Sequence, residues 1–182
     1  SVVSMDTLVD DLWHSEPPAT AEAVVQNAVH RLRRSLGREA IETRSPGYVL
    51  RIDPGAIDAR RFERLVRDAA PLPPAERSAA LGDALALWRG PALQDLIETE
   101  WLGAEARRLE ALRVDALEER FETALALGEH REIVSALRAT LDENPFRERV
   151  WGQLMLALYR GGRQVDALET FQEARRVLAE QL

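Results

Sequence analysis

Residues 114–147 and 148–181 repeat each other at a spacing of 34 residues. Ala124 and Leu158 occupy the same phase, as do Gly128 and Gly162, Ile133 and Ala167, and Leu137 and Phe171. Apolar residues lie three and four apart on both sides of each glycine, which is the period of two helices separated by a tight turn. Trp151 and Leu154 extend the apolar positions of the second copy, Ala174 continues its second helix, and Phe121 and Pro145 mark the first copy. One such helical hairpin cannot bury its apolar face alone, so consecutive copies must stack. This spacing matches the tetratricopeptide repeat, which prefers small residues at its eighth and twentieth positions. Phe121 and Met155 stand at the eighth and Ile133 at the twentieth of the first copy, so the phase agrees better than the detail.

Upstream of the repeat the chain reads as helical from Asp58 onward. One segment, "DARRFERLVRDAA", stops at "PLPP", and "AERSAALGDALALWRG" is closed by Gly90 and Pro91. A long helix from about Thr99 to Leu127 leads into the first repeat. The first third of the chain is different. Ser4 opens a helix with Met5, Leu8, Val9 and Leu12 at helical spacing, and Pro17 and Pro18 break it. Thr20 is placed to cap a second helix, Ala21 to Leu36, which Gly37 ends. Val25, Ala28, Val29, Leu32 and Leu36 form its apolar stripe. Ile41, Thr43, Tyr48, Val49 and Ile52 then favour strands about the turn Ser45-Pro46-Gly47, predicting a hairpin. Two helices, a short proline turn and a hairpin describe a winged helix-turn-helix. The expected fold is therefore mainly α: a winged helix-turn-helix with a C-terminal wing hairpin over residues 1–53, followed by an all-helical tetratricopeptide-like domain over residues 54–182.

Charge is unevenly placed. The chain carries 24 basic and 31 acidic side chains, yet residues 23–52 hold six arginines against two acids. Attraction to phosphate is screened within about 10 Å, so the local excess outweighs the acidic total. The second helix turns Gln26, Asn27, His30, Arg31 and Arg34 away from its apolar stripe. Amide, imidazole and guanidinium groups read base edges in the major groove. Arg33 and Arg38 flank that face and suit phosphates, and Arg44 at the hairpin tip suits phosphate or the minor groove. A solvated amphipathic helix would look similar; the preceding helix and following hairpin favour nucleic acid.

Other chemistry has little support. The chain has no cysteine, which excludes disulfides and thiolate metal sites. His14, His30 and His130 lack metal-ligand spacing, and His14 and His130 read as surface residues. No nucleophile lies near a base, and no glycine-rich phosphate loop is present. Trp88, Trp101 and Trp151 read as core, and Glu118 and Glu122 as solvated carboxylates. No apolar run approaches the ~18 residues needed to span a bilayer, so no membrane association is expected and a cytoplasmic protein is. No catalytic residue, metal or cofactor is expected.

The segments "LVDDLWHSEPPATAEAVVQNAVHRLRRSLG" and "IETRSPGYVLRI" resemble the DNA-binding half of the Streptomyces antibiotic regulatory protein family. "RRFERLV", "ALALWRGPALQDL" and "ENPFRERVWGQLMLALYRGGRQVDALETFQEARRVLAEQL" resemble its partner, the bacterial transcriptional activator domain. The resemblance covers nearly the whole chain. It implies an OmpR-like winged helix in a transcriptional activator of antibiotic biosynthesis. Such an activator binds double-stranded DNA at direct repeats near the −35 element, as a homodimer, and recruits RNA polymerase through contacts that include its sigma factor. It places Gln26, Asn27, His30, Arg31 and Arg34 on the DNA side with Arg33 at its edge, and brings in Thr43, Arg44 and Tyr48 from the wing. It also implies a small sheet and a first helix ahead of Ser1. A protein-binding winged helix that has lost DNA stays open as an alternative from the residues alone.

Overall fold

The computed structural model describes residues 2–13, 16–94 and 100–179, with the side chains of Glu100 and Trp101 left aside. The expectations for His14 and Trp101 therefore lie outside the described residues. The chain divides into two compact units, Ser1–Ile57 and Asp58–Leu182.

The first unit runs β1 (Val3–Ser4), α1 (Met5–Trp13), α2 (Ala21–Leu36), β2 (Ile41–Arg44) and β3 (Gly47–Leu50). The strands form an antiparallel sheet in the order β1-β3-β2. The hairpin stands where the turn signal predicts it. β1 was not expected: two residues are too short for any period, and only the β-branched Val2 and Val3 hint at it. Ser4 caps α1 as expected, its hydroxyl accepting the Thr7 N–H at 3.0 Å. Thr20 precedes α2, but its hydroxyl makes no capping hydrogen bond.

The buried strip of α2 departs from the expected one. Ala21, Val25 and Val29 are buried, stepping by four, and join Ala40 and Ile41 in a core flanked by Met5, Leu8, Val9, Trp13, Tyr48 and Ile52. Ala28 is exposed, as are Leu32 at 48%, Leu36 at 52% and, on α1, Leu12 at 59%. A four-residue step walks around the helix by about 40° per turn. The strip that begins at Ala21 therefore reaches Arg33, which is half-buried, rather than Leu32 or Leu36.

The second unit contains α3 (Asp58–Ala69), α4 (Pro74–Leu85), α5 (Glu100–Leu127), α6 (Val134–Glu143), α7 (Glu148–Arg160) and α8 (Gln164–Ala179). Helix α4 stops at Leu85, short of the expected end near Gly90. Phe62, Ala69, Leu81, Ala84 and Ala116 bind α3 and α4 to α5, with Trp88 edge-on to Phe62 at 5.3 Å. The second half of α5 and helices α6, α7 and α8 share one core around Phe121, Leu137, Val150, Trp151, Leu154 and Leu158, in which α7 packs on α5, α6 and α8. The four helices follow the order of the 34-residue repeat, with one turn at Gly128 and the other at Gly162. Gly128 and Gly162 have φ of 85° and 84°, the left-handed turn that glycine adopts without steric cost. Trp151 is core, its indole N–H donating to the Pro145 carbonyl at 2.8 Å.

Two sequence expectations for this unit change. His130 is half-buried rather than on the surface. Glu118 is 6% exposed, so it is not a solvated partner of the exposed Glu122. Burial pushes the Glu118 carboxyl up; Arg147 and Arg149, at 3.6 and 3.7 Å, oppose this, while Asp115 and Glu119 add to it.

Glu63 behaves in the opposite way. Burial favours its neutral form, but the hydrogen bonds and charges of Arg108 and Arg60 prevail and hold the carboxyl below its usual value. Its stabilising contribution is therefore complete above 4.5, the ordinary value, and is lost as pH falls through the lower folded one. Glu63→Gln should cost about 1 kcal/mol near neutral pH. Paired urea titrations across pH should show that difference closing as acid is added; a constant gap would mean that the charge is not responsible.

Candidate nucleic-acid interface

Helix α2 presents its expected polar face. Gln26, Asn27, His30, Arg31 and Arg34 are all exposed, on the side opposite Ala21, Val25 and Val29. Arg38, in the 3-10 turn after α2, and Arg44 are exposed too. Arg44 pairs with Gly47 at the end of the hairpin ladder. Among the described residues, the side chains of Arg31, Arg34, Arg38 and Arg44 have no hydrogen-bonded or ion-paired partner.

The other two arginines of residues 23–52 are engaged within the protein. Arg51 pairs with Glu42 across the hairpin at 2.9 Å. Arg33 donates from Nε to the Ile41 carbonyl at 2.9 Å and from Nη2 to the Thr43 hydroxyl at 2.8 Å. Its guanidinium carbon lies 5.9 Å from the centre of the Tyr48 ring. Thr43 and Tyr48 face each other across β2 and β3. Of the ten predicted residues, seven are thus exposed without hydrogen-bonded or ion-paired partners among the described residues, while Arg33, Thr43 and Tyr48 are gathered into one contact between helix and hairpin.

Sequence reasoning missed two supports of this surface. The Ile41 carbonyl receives Arg33, and no side-chain pattern reports a main-chain acceptor. Gly47 lies so close to β1 that a β-carbon there would overlap the Val3 carbonyl oxygen. The sequence showed Gly47 only as a turn residue.

Acidic side chains near this surface are few: Glu22 is exposed at the start of α2, Glu39 is exposed beside Arg38, and Glu42 pairs with Arg51. Asp6, Asp10 and Asp11 are exposed on α1. Among the described residues, no group of three or more acidic or histidine side chains could hold a metal ion. No helix among them is long and apolar enough to cross a membrane.

A winged helix-turn-helix with a basic outer face, followed by stacked helical hairpins, defines a class of bacterial transcriptional regulator. The bacterial transcriptional activator domain matches residues 57–182. The regulatory protein DnrI of Streptomyces peucetius is 36% identical over all of this chain and 72% of its own length. The transcriptional regulator RedD of Streptomyces coelicolor is 37% identical over 99% of this chain and 55% of its own. Mycobacterium tuberculosis EmbR, solved in complex with a low affinity phosphopeptide, superposes with a TM-score of 0.89 at 33% identity, covering all of this chain and 51% of that one. The chain belongs to the Streptomyces antibiotic regulatory protein family of transcriptional activators. It spans about half the length of RedD and of the EmbR chain.

Proposed function

We propose that this protein is a sequence-specific DNA-binding activator of antibiotic-biosynthesis genes, working in the cytoplasm without catalysis of its own. Helix α2 enters the major groove. Gln26, Asn27 and His30 meet base edges, and Arg31 and Arg34 meet guanine edges or phosphates. Arg38 meets phosphate, and Arg44 meets phosphate or the adjacent minor groove. Two copies occupy direct repeats near the −35 element, and RNA polymerase with its sigma factor is the protein partner. The acidic face of α1, with Asp6, Asp10 and Asp11, is repelled by DNA and suits a basic part of polymerase.

The observation that carries this reading is the set of four arginines, on α2, the turn after it and the end of β2, that have no partner among the described residues, in a chain of net charge −7. A solubilising surface needs no such segregation. The test is Arg31→Ala combined with Arg34→Ala, titrated against promoter DNA that the wild-type protein protects from footprinting. Affinity should fall about a hundredfold. If both arginines meet phosphate, the dependence of log affinity on log salt should flatten by about 1.8, from roughly 0.9 per phosphate. Unchanged affinity would sink the reading.

A further inference from the structure

Arg33 is the one arginine of α2 that does not face outward alone. It stands four residues after Val29, where the buried strip of the helix ends, and is half-buried. Two of its donors reach β2 at alternate residues, the Ile41 carbonyl and the Thr43 hydroxyl. Its guanidinium is also within cation–π range of the Tyr48 ring on β3. One side chain therefore ties the helix to both strands of the hairpin, through the cross-strand pair Thr43–Tyr48. Guanidinium suits this task because it is planar and offers donors along two edges, whereas an ammonium is a single compact charge.

We propose that Arg33, Thr43 and Tyr48 form a clamp that fixes the placement of helix α2 relative to the hairpin, with Arg33 a positioning residue and not a phosphate contact. This inference rests on the DNA-binding reading above. A helix and a wing that must engage one duplex together need a set spacing. Non-specific attraction to phosphate needs only charge. The clamp therefore supports the discrimination between sequences more than the general affinity for DNA.

The test uses the full chain and two probes: a duplex selected from a randomised library by the wild-type protein, and a scrambled duplex of the same composition. Arg33→Lys keeps the charge and loses the fork. Under the clamp, affinity for the selected duplex falls about tenfold or more, affinity for the scrambled duplex stays within about twofold, and the salt dependence is unchanged. Thr43→Val, which removes one hydroxyl and leaves the strand intact, should shift the ratio of the two affinities in the same direction by a smaller factor. Its effect should largely disappear in the Arg33→Lys background, because the two changes remove one shared contact. Circular dichroism of each variant reports whether the fold survives, and Thr43→Val decides the matter if Arg33→Lys does not fold. Arg33→Lys binding both duplexes as the wild type does would overturn the clamp, as would a Thr43→Val effect that persists at full size beside it. If the wild-type protein selects no duplex, the DNA-binding reading fails first, and the clamp falls with it.

Discussion

Replacing Leu158 with alanine should destabilise the helical unit by about 3–4 kcal/mol, the middle of the range for large buried aliphatic residues. Leu158 is fully buried on α7, in the cluster that includes Phe121, Leu137, Val150 and Leu154. Helix α7 is packed by α5, α6 and α8, so the space left by the missing methyl groups is walled by three helices and cannot collapse readily. The loss adds the transfer free energy of the removed carbons to the cost of the residual cavity. Urea denaturation followed by far-ultraviolet circular dichroism, which reports the helices, should show a lower midpoint and an unchanged slope. Leu168, on the neighbouring helix α8, is 67% exposed, so Leu168→Ala should stay within about 0.5 kcal/mol. Equal effects at the two positions would contradict the burial that separates them.

Gly47→Ala should be nearly as damaging to the first unit, by about 2–3 kcal/mol. The reason is close approach. A β-carbon would overlap the Val3 carbonyl oxygen and sit 2.7 Å from the Ser4 α-carbon. Both neighbours are backbone, so no side-chain rotation relieves the contact. Strand β1 must leave β3, giving up the pairs Val3–Tyr48 and Ser4–Gly47 and the hydrogen bond from the Met5 N–H to the Pro46 carbonyl at 3.1 Å. Hydrogen exchange should show the Met5 amide losing protection while amides deep in α2 keep theirs. Because Arg44 lies opposite Gly47 in the ladder, operator affinity should weaken as well. A stability change below about 0.5 kcal/mol would mean that β1 contributes little to the sheet.

The helices and the hairpin were legible because each is announced by a period and a boundary within its own segment. Gly128 and Gly162 marked the two repeat turns, Pro17 and Pro18 ended α1, and Ser45-Pro46-Gly47 marked the hairpin. What stayed hidden depends on distant neighbours. Leu32 and Leu36 carry the right period for a core, but nothing in the sequence tells how far along α2 the covering elements extend. Arg33 looks like its neighbours Arg31 and Arg34, and only the path of β2 turns its guanidinium inward. The carboxylates show the same limit. Glu118 and Glu122 stand one turn apart, yet the first is buried beside Arg147 and Arg149 and the second is exposed. The exposed members of the candidate site, from Gln26 to Arg34, needed only the helical period, so they were readable from the start.

The position of β1 also shapes how the protein comes together. In the helical unit, the extensive pairings join helices adjacent in sequence: α3 with α4, α4 with α5, α6 with α7, and α7 with α8. Such short-range contacts close small loops and form early. In the first unit, β1 meets β3 through Val3 and Tyr48, near opposite ends of its segment. Closing that loop costs more chain entropy than closing any neighbouring pair. The hairpin can form alone, but the sheet is complete only when the first strand arrives, so within its own unit the surface carrying Arg44 depends on a contact from the far end of the segment.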